Sequence, residues 1–194
     1  FPPHETVYYY FDKWKWTGVF EEVMDTLRNL VRKAAGRHES PSLGIIDSRS
    51  VKTSHHADSA VKGIDGNKRI KGRKEHIVVD TLGLPMAVNV HAANTHDSLG
   101  AGETLELLRS RFPRLKAILA DGGYQGQTLA DTVRKMLGAE MKIVLRPDES
   151  SKKFQVLPRR WIVERCFAWL ENYRRLTLDY DYRAHTIVAM VQIA

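Results

Sequence analysis

Sulfur is scarce in this chain: its 194 residues include a single cysteine, Cys166. One thiol excludes an internal disulfide and any zinc site built from several cysteines, and its place in an apolar helical pattern reads as an inert core residue. Long hydrophobic runs are missing too. No apolar stretch approaches the roughly 20 residues that cross a bilayer, and the start Phe1-Pro-Pro-His-Glu has neither the charged nor the apolar region of a signal peptide. The expectation is a soluble, cytoplasmic protein. Disordered tracts are also lacking, and an apolar fraction of 43% supports a folded domain with a real core. Negative charge is in deficit, with 23 Asp and Glu against 30 Lys and Arg, so the net charge is +7 and the pI is near 9.5. A polyanion is the natural partner of such a surface.

The positive charge is clustered. Lys62, Lys68, Arg69, Lys71, Arg73 and Lys74 share one glycine-punctuated segment with only Asp65 and Glu75. Lys152, Lys153, Arg159, Arg160, Arg165, Arg174 and Arg175 gather near the carboxyl end. Two basic clusters flanking an acidic site would suit a phosphodiester substrate.

The acidic site is sought first in Lys116-Ala-Ile-Leu-Ala-Asp121-Gly-Gly-Tyr-Gln-Gly126. Its apolar run is too short for a helix, and Gly122 and Gly123 allow an immediate turn, so Asp121 is expected at the carboxyl end of a strand. That edge is where open α/β sheets bind ligands. Alone, an Asp there is more simply a turn former. Leu43-Gly-Ile-Ile-Asp47-Ser-Arg-Ser-Val-Lys-Thr53 is a second apolar run broken by Asp, with polar alternation that keeps it extended.

Residues 5–35 read as two amphipathic helices broken near Thr17-Gly18, with Tyr8, Phe11, Trp14, Phe20, Val23, Leu27, Leu30 and Val31 at helical spacing and a solvated basic face near Arg28, Arg32, Lys33 and Arg37. A polar linker, Arg37-His-Glu-Ser-Pro-Ser, follows. Residues 54–75 read as a long polar loop in which His55 and His56 are solvated. Residues 75–80 and 86–92 form a hairpin around Thr81-Leu-Gly-Leu-Pro85. Asp97 and Ser98 are placed to cap a helix running to Phe112 with Leu105, Leu107 and Leu108 inward. His91 and His96 are a weaker metal alternative. A helix over 127–137 stopped by Gly138, a strand over 141–145 ended by Arg146-Pro147, a helix over 159–175 carrying Glu164, and an apolar helix-like run over 187–194 complete the chain. Because the chain begins without Met, a fragment or a processed chain is expected.

The order is three strands, helix, strand, helix, strand, helix, with acids on the first strand, the fourth strand and the last helix. This is the order of the ribonuclease H-like fold. The expected fold class is α/β, a mixed sheet flanked by helices, with residues 1–40 as an amino-terminal helical appendage, either a packing element or a helix-turn-helix part of the DNA-binding region, to the catalytic domain at 41–194. Asp47, Asp121 and Glu164 would then converge.

Over nearly its whole length the chain resembles the DDE transposases of bacterial insertion sequences, in particular the insertion sequence five group within the insertion sequence four family. The resemblance lies in Val7-Tyr-Tyr-Tyr-Phe11 with Trp14, Ile46-Asp47-Ser-Arg-Ser-Val-Lys-Thr53, Lys71-Gly-Arg-Lys-Glu-His-Ile77, Ala120-Asp-Gly-Gly-Tyr124 and Arg160-Trp-Ile-Val-Glu164-Arg. In the family's signature a Tyr is followed by Arg three residues later, Glu four after that and Lys seven further on. Arg160 and Glu164 match, whereas Leu157 and Glu171 stand in place of the Tyr and the Lys.

The resemblance implies a metal-dependent transposase that cleaves DNA at terminal inverted repeats and transfers strands to target DNA. Double-stranded DNA would be its partner, bound by a homodimer on paired ends. Relatives carry a further helical region before the equivalent of Phe1. Two Mg²⁺ ions roughly 4 Å apart, with Mn²⁺ as a substitute, would be held by Asp47 as the bridge and by Asp121 and Glu164 as the separate ligands. Arg49, Lys52, Arg160 and Arg165 are candidates for positioning DNA phosphates. Lys68, Arg69, Lys71, Arg73 and Lys74 would attract the backbone, and Arg174 or Arg175 would stand in for the missing signature Lys. A structure-selective nuclease of the same fold and an inactive DNA-binding remnant are the alternatives.

Overall fold

A computed structural model describes residues 1–145 and 159–194. The expectations for Arg146, Pro147, Lys152, Lys153 and Leu157 lie outside the described residues. Two helices, α1 (His4–Thr17) and α2 (Val19–Ala34), precede β1 (Leu43–Lys52), β2 (Gly63–Asp65), β3 (Ile70–Val79) and β4 (Pro85–Ala92). Next come α3 (Asp97–Glu106), β5 (Ala117–Ala120), α4 (Gln127–Leu137), β6 (Glu140–Ile143), α5 (Trp161–Leu170), α6 (Arg174–Thr177) and α7 (Ala184–Ile193).

One mixed sheet organises the chain. β1 is antiparallel to β3 and parallel to β5, and β5 is parallel to β6. The outer edge of β3 is shared, with β2 taking residues 70–72 and β4 most of the rest. The strand that begins in sequence therefore ends in the middle, beside the strand that carries Asp121. Strand order and helix placement are those of a ribonuclease H-like fold.

β1 and β3 are buried on both faces, and their period of two assigns side chains to two cores. Ile46, Val78 and Ile118 pack with Leu105 of α3, with Leu108 just beyond it, and with Leu129 and Val133 of α4. Ile45, Ile77 and Val79 pack on the other face with Ile162, Val163, Cys166 and Phe167 of α5 and with Ile187 and Val191 of α7. Each such side chain removed from water contributes about 1.5–3 kcal/mol. Cys166 is an apolar filler there, and burial raises its thiol pKa to about 11. Among the described residues no helix is long and apolar enough to cross a membrane.

Several local expectations change. The polar segment 54–75 contains β2 and the first half of β3, because β1 stays extended as far as Lys52 and pairs that residue with Gly72. The helix over 159–175 is two, separated by a turn after Leu170. Leu107, expected inside, is exposed, while Leu105 and Leu108 are buried.

The largest inversion is on α2. Val23, Leu27, Leu30 and Val31 face outward, and the buried stripe is Met24, Arg28 and Arg32. The physical reason is a set of buried partners for both guanidinium groups. Arg32 pairs with Asp80 and donates through Nε to the His38 carbonyl. Arg28 pairs with Asp25 at 2.8 Å, donates to the Pro85 carbonyl and lies over the Phe112 ring. The Arg32–Asp80 pair and the pairs of Arg111 with Glu21 and Asp25 therefore dock this helix, and its apolar spacing misleads.

Candidate active site

Asp47 shares a face of β1 with Ile45 and Arg49, so it points toward α5 rather than toward α3. Extending the β1–β5 register beyond the pair Ile45 and Leu119 brings Asp47 alongside Asp121. Asp121 stands just past β5, where Gly122–Tyr124 makes one 3₁₀ turn. Glu164 lies in the first turn of α5.

All three carboxylates meet one atom. Arg160 Nη2 is 3.4 Å from Asp47 Oδ2, 3.4 Å from Asp121 Oδ2 and 3.8 Å from Glu164 Oε1. The remaining oxygens of the two aspartates are pinned by backbone. Ser48 N–H donates to Asp47 Oδ1 at 2.8 Å, and Gly123 N–H donates to Asp121 Oδ1 at 2.9 Å. Each aspartate thus has one oxygen anchored and one directed at the shared centre. Burial raises the pKa of Asp47, the Ser48 amide and Arg160 oppose the shift, and Asp121 adds to it.

Among the described residues no group of three or more His, Cys, Asp or Glu side chains is close enough to hold one metal ion. The triad is gathered around a guanidinium instead. Its donor chemistry nevertheless fits a hard divalent cation: carboxylate oxygens from three elements, two of them held in orientation, directed at one point. His91 and His96 are committed elsewhere. His91 Nε2 lies 2.8 Å from His76 Nδ1, and His96 Nδ1 accepts from Ser98 N–H as the cap of α3.

That capping corrects the reading of Asp97. It is the first residue of α3, and its Oδ1 accepts from Lys74 Nζ at 2.9 Å and from Ser48 Oγ at 3.3 Å. Asp97 therefore adds a carboxylate beside the triad, on the face of β1 opposite Asp47. Tyr124 comes with it: its hydroxyl is buried and, among the described residues, has no well-formed hydrogen bond, and burial together with Asp47, Asp97 and Asp121 drives its pKa well up against the nearby Ser48 hydroxyl. The sequence signal for Asp97 was its place directly after the third expected strand, which helix capping also explained.

The expected DNA-contacting residues divide. Lys52, Lys68, Arg69, Lys71 and Arg174 are exposed. Arg175 is exposed, but its Nη2 donates to both oxygens of Asp181. Three expectations are corrected. Arg73 is 1% exposed and bonds Asp179 and the carbonyls of Val61, Asp181 and Tyr182. Arg49 is buried with its Nε on Glu75 and its other nitrogens on the Phe167 and Leu176 carbonyls. Lys74 is buried against Asp97 and the Thr95 carbonyl. The central strands are covered on both faces, so alternation sends Arg73 and Lys74 to opposite sides of β3 and both are still buried; with Arg49 they hold the domain together. Arg165 donates to the Leu82 carbonyl and lies between the rings of Trp161 and Trp169.

The chain is similar to known proteins in ways that bear on this geometry. The family described as "Transposase DDE domain" matches residues 38–194. A protein of Burkholderia cepacia described as "Putative transposase for insertion sequence element IS402" is 32% identical over 120 residues, which cover 58% of this chain. The match covers 56% of that relative's length. Among solved structures, a chain of the simian T-cell lymphotropic virus intasome in complex with PP2A regulatory subunit B56 gamma matches with a TM-score of 0.43 and 15% identity. That match covers 78% of this chain and 48% of the other, and the likeness is too slight to add to the fold already described. The family match spans the strands, the carboxylates that meet at Arg160 and the helices around them, and by it the chain belongs to the transposase DDE domain family.

Proposed function

We propose that the chain is the catalytic core of a transposase that cuts DNA at the terminal inverted repeats of its element and joins the freed 3′ ends to target DNA. The observation that supports this best is the meeting of Asp47, Asp121 and Glu164 at one nitrogen, from three elements far apart in sequence. These residues would hold two Mg²⁺ ions, or Mn²⁺ in their place. When bound, such ions neutralise the phosphate and raise the nucleophilicity of a water or a 3′-hydroxyl.

The protein's own contribution is orientation. The Ser48 and Gly123 amides hold one oxygen of each aspartate, so the other is directed at the reacting centre without a search through rotamers. Glu164 is held by a helix whose buried face is locked into the core by Ile162, Val163 and Cys166. Lys52, Lys68, Arg69, Lys71 and Arg174 are exposed cations available to phosphates, which position a duplex without reading its sequence. Residues 1–40 are taken as a helical appendage that contributes to DNA binding, residues 41–194 as the catalytic domain, and a homodimer on paired ends as the working assembly.

The test is Mg²⁺-dependent nicking and strand transfer on a labelled duplex carrying the element's end, comparing this chain with Asp121→Ala. Strand transfer that the substitution abolishes supports the proposal. Cutting without joining favours a nuclease on the same fold, and binding with neither reaction makes the chain an inactive DNA-binding remnant.

A further inference from the structure

Arg160 makes an unusual set of contacts. A guanidinium normally meets a carboxylate through two nitrogens in a fork. Here one nitrogen meets three carboxylates, as a spherical cation would, and the arginine side chain is 9% exposed. The contacts are loose. At 3.4, 3.4 and 3.8 Å they exceed the roughly 2.7–2.9 Å of a tight charge-assisted bond. The single positive charge offsets one of the three negative charges, while among the described residues none of the three free oxygens has a strong partner.

We propose that Arg160 is the resident counter-ion of the metal-free site, and that a divalent ion enters only by displacing its guanidinium from the point where the three carboxylates meet. This rests on the reading of Asp47, Asp121 and Glu164 as metal ligands. Three carboxylates brought together without a cation repel one another, and a positive charge at their centre relieves that repulsion in the metal-free fold. Arginine stays protonated in proteins and cannot yield the place by losing a proton, so it yields by moving. Its backbone lies at the start of α5, one turn before Glu164, and the side chain leaves without disturbing the buried stripe of that helix. Arg160 thus sets the metal concentration at which the site assembles and keeps the carboxylates gathered until then.

The experiment is Mn²⁺ binding without DNA, measured by titration calorimetry on the unaltered chain, Arg160→Gln, Arg160→Ala and Arg159→Ala. Arg159 is exposed and adjacent, so its substitution removes the same charge without touching the triad. A competent state populated at about a tenth or less in the unaltered chain would make both Arg160 variants bind Mn²⁺ about tenfold or more tightly. Arg159→Ala would change affinity by no more than about twofold, since salt screens an exposed charge. In thermal melts the Arg160 variants would start lower without metal and gain more on adding Mn²⁺. Gln preserves bulk and hydrogen bonding should Ala unfold the site. Equal or weaker Mn²⁺ binding by the Arg160 variants overturns the proposal and leaves the metal reading standing. No Mn²⁺ binding by any of the four overturns both.

Discussion

Arg49 Nε donates to Glu75 Oε2 at 2.8 Å between directly paired residues of β1 and β3, two positions along β1 from Asp47 and on the same face. Glu75 is 1% exposed and Arg49 9% exposed, and the remaining guanidinium nitrogens reach the Phe167 and Leu176 carbonyls. One ion pair thereby ties both central strands to α5 and α6, the elements that frame the triad. Removing one partner of a buried pair strands the other's charge. Glu75→Ala is expected to destabilise the domain by about 3–5 kcal/mol. Urea unfolding of the variant beside the unaltered chain measures this, and a loss within the range of a surface pair would mean that the Arg49 charge finds water.

The same geometry separates structural from DNA-facing cations. Lys68→Ala and Lys71→Ala should each leave the melting temperature nearly unchanged. Each should flatten the dependence of log K on log salt for duplex binding by about 0.9 for every phosphate that the variant no longer neutralises. Arg73→Ala should behave in the opposite way and unfold the domain, since Arg73 holds Asp179 and three carbonyls in the interior. A folded Arg73→Ala protein with a weakened salt slope would return Arg73 to the DNA surface.

For the carboxylates the expected pattern is loss of chemistry with retention of binding. Asp47→Ala, Asp121→Ala and Glu164→Ala should each abolish Mg²⁺-dependent cleavage while DNA affinity at fixed salt stays within a few-fold of the unaltered chain. A mobility-shift titration run beside the cleavage assay separates the two, and loss of binding in all three variants would remove these residues from their assigned roles.

Gly123 offers a finer probe of position. A Cβ there would stand 3.1 Å from Asp121 Oδ1 and 3.5 Å from Asp97 Oδ2, against the oxygen that the Gly123 amide holds. Gly123→Ala should keep the fold and push the Asp121 carboxylate aside by a fraction of an ångström. Misplacement on this scale lowers the turnover rate by about ten- to a hundredfold. Single-turnover cleavage rates, with circular dichroism to confirm the fold, check it.

The histidine pair makes stability depend on pH. Burial, reinforced by His91 and by Lys74 and Lys68 and opposed by Asp97, lowers the His76 pKa from 6.5 to about 3. Burial also lowers that of His91. The unfolded chain therefore binds protons between pH 6.5 and about 3 that the folded chain does not. Stability is lost as pH falls through that window and is fully present above it. For one proton the loss is about 1.4 kcal/mol per pH unit, or about 2 kcal/mol between pH 6.5 and 5. Denaturant midpoints from pH 7 to 5 should fall accordingly and fall less in His76→Gln, whereas parallel profiles would mean that the folded histidine titrates normally.

Most of the order of elements, though not β2 or the break before α6, was legible in local patterns, as were the three acids that meet at Arg160. Asp47 and Asp121 each follow a short apolar run, and a strand's period of two needs only neighbouring residues to be read. Glu164 and Arg160 share a helix face because they are four residues apart. Long-range pairing was beyond such local patterns. Arg28 and Arg32 looked solvated, and only Asp80, Pro85 and His38, brought close by the fold, made the charged stripe of α2 the buried one. Arg49, Arg73 and Lys74 looked like a surface for DNA until the covering of both sheet faces set each against a carboxylate distant in sequence. Asp97 passed for a cap until His96 took that place and Lys74 drew it toward the site. A local pattern can say which face a residue shares, but charge is buried only where a partner waits, and the tertiary structure alone decides which partners meet.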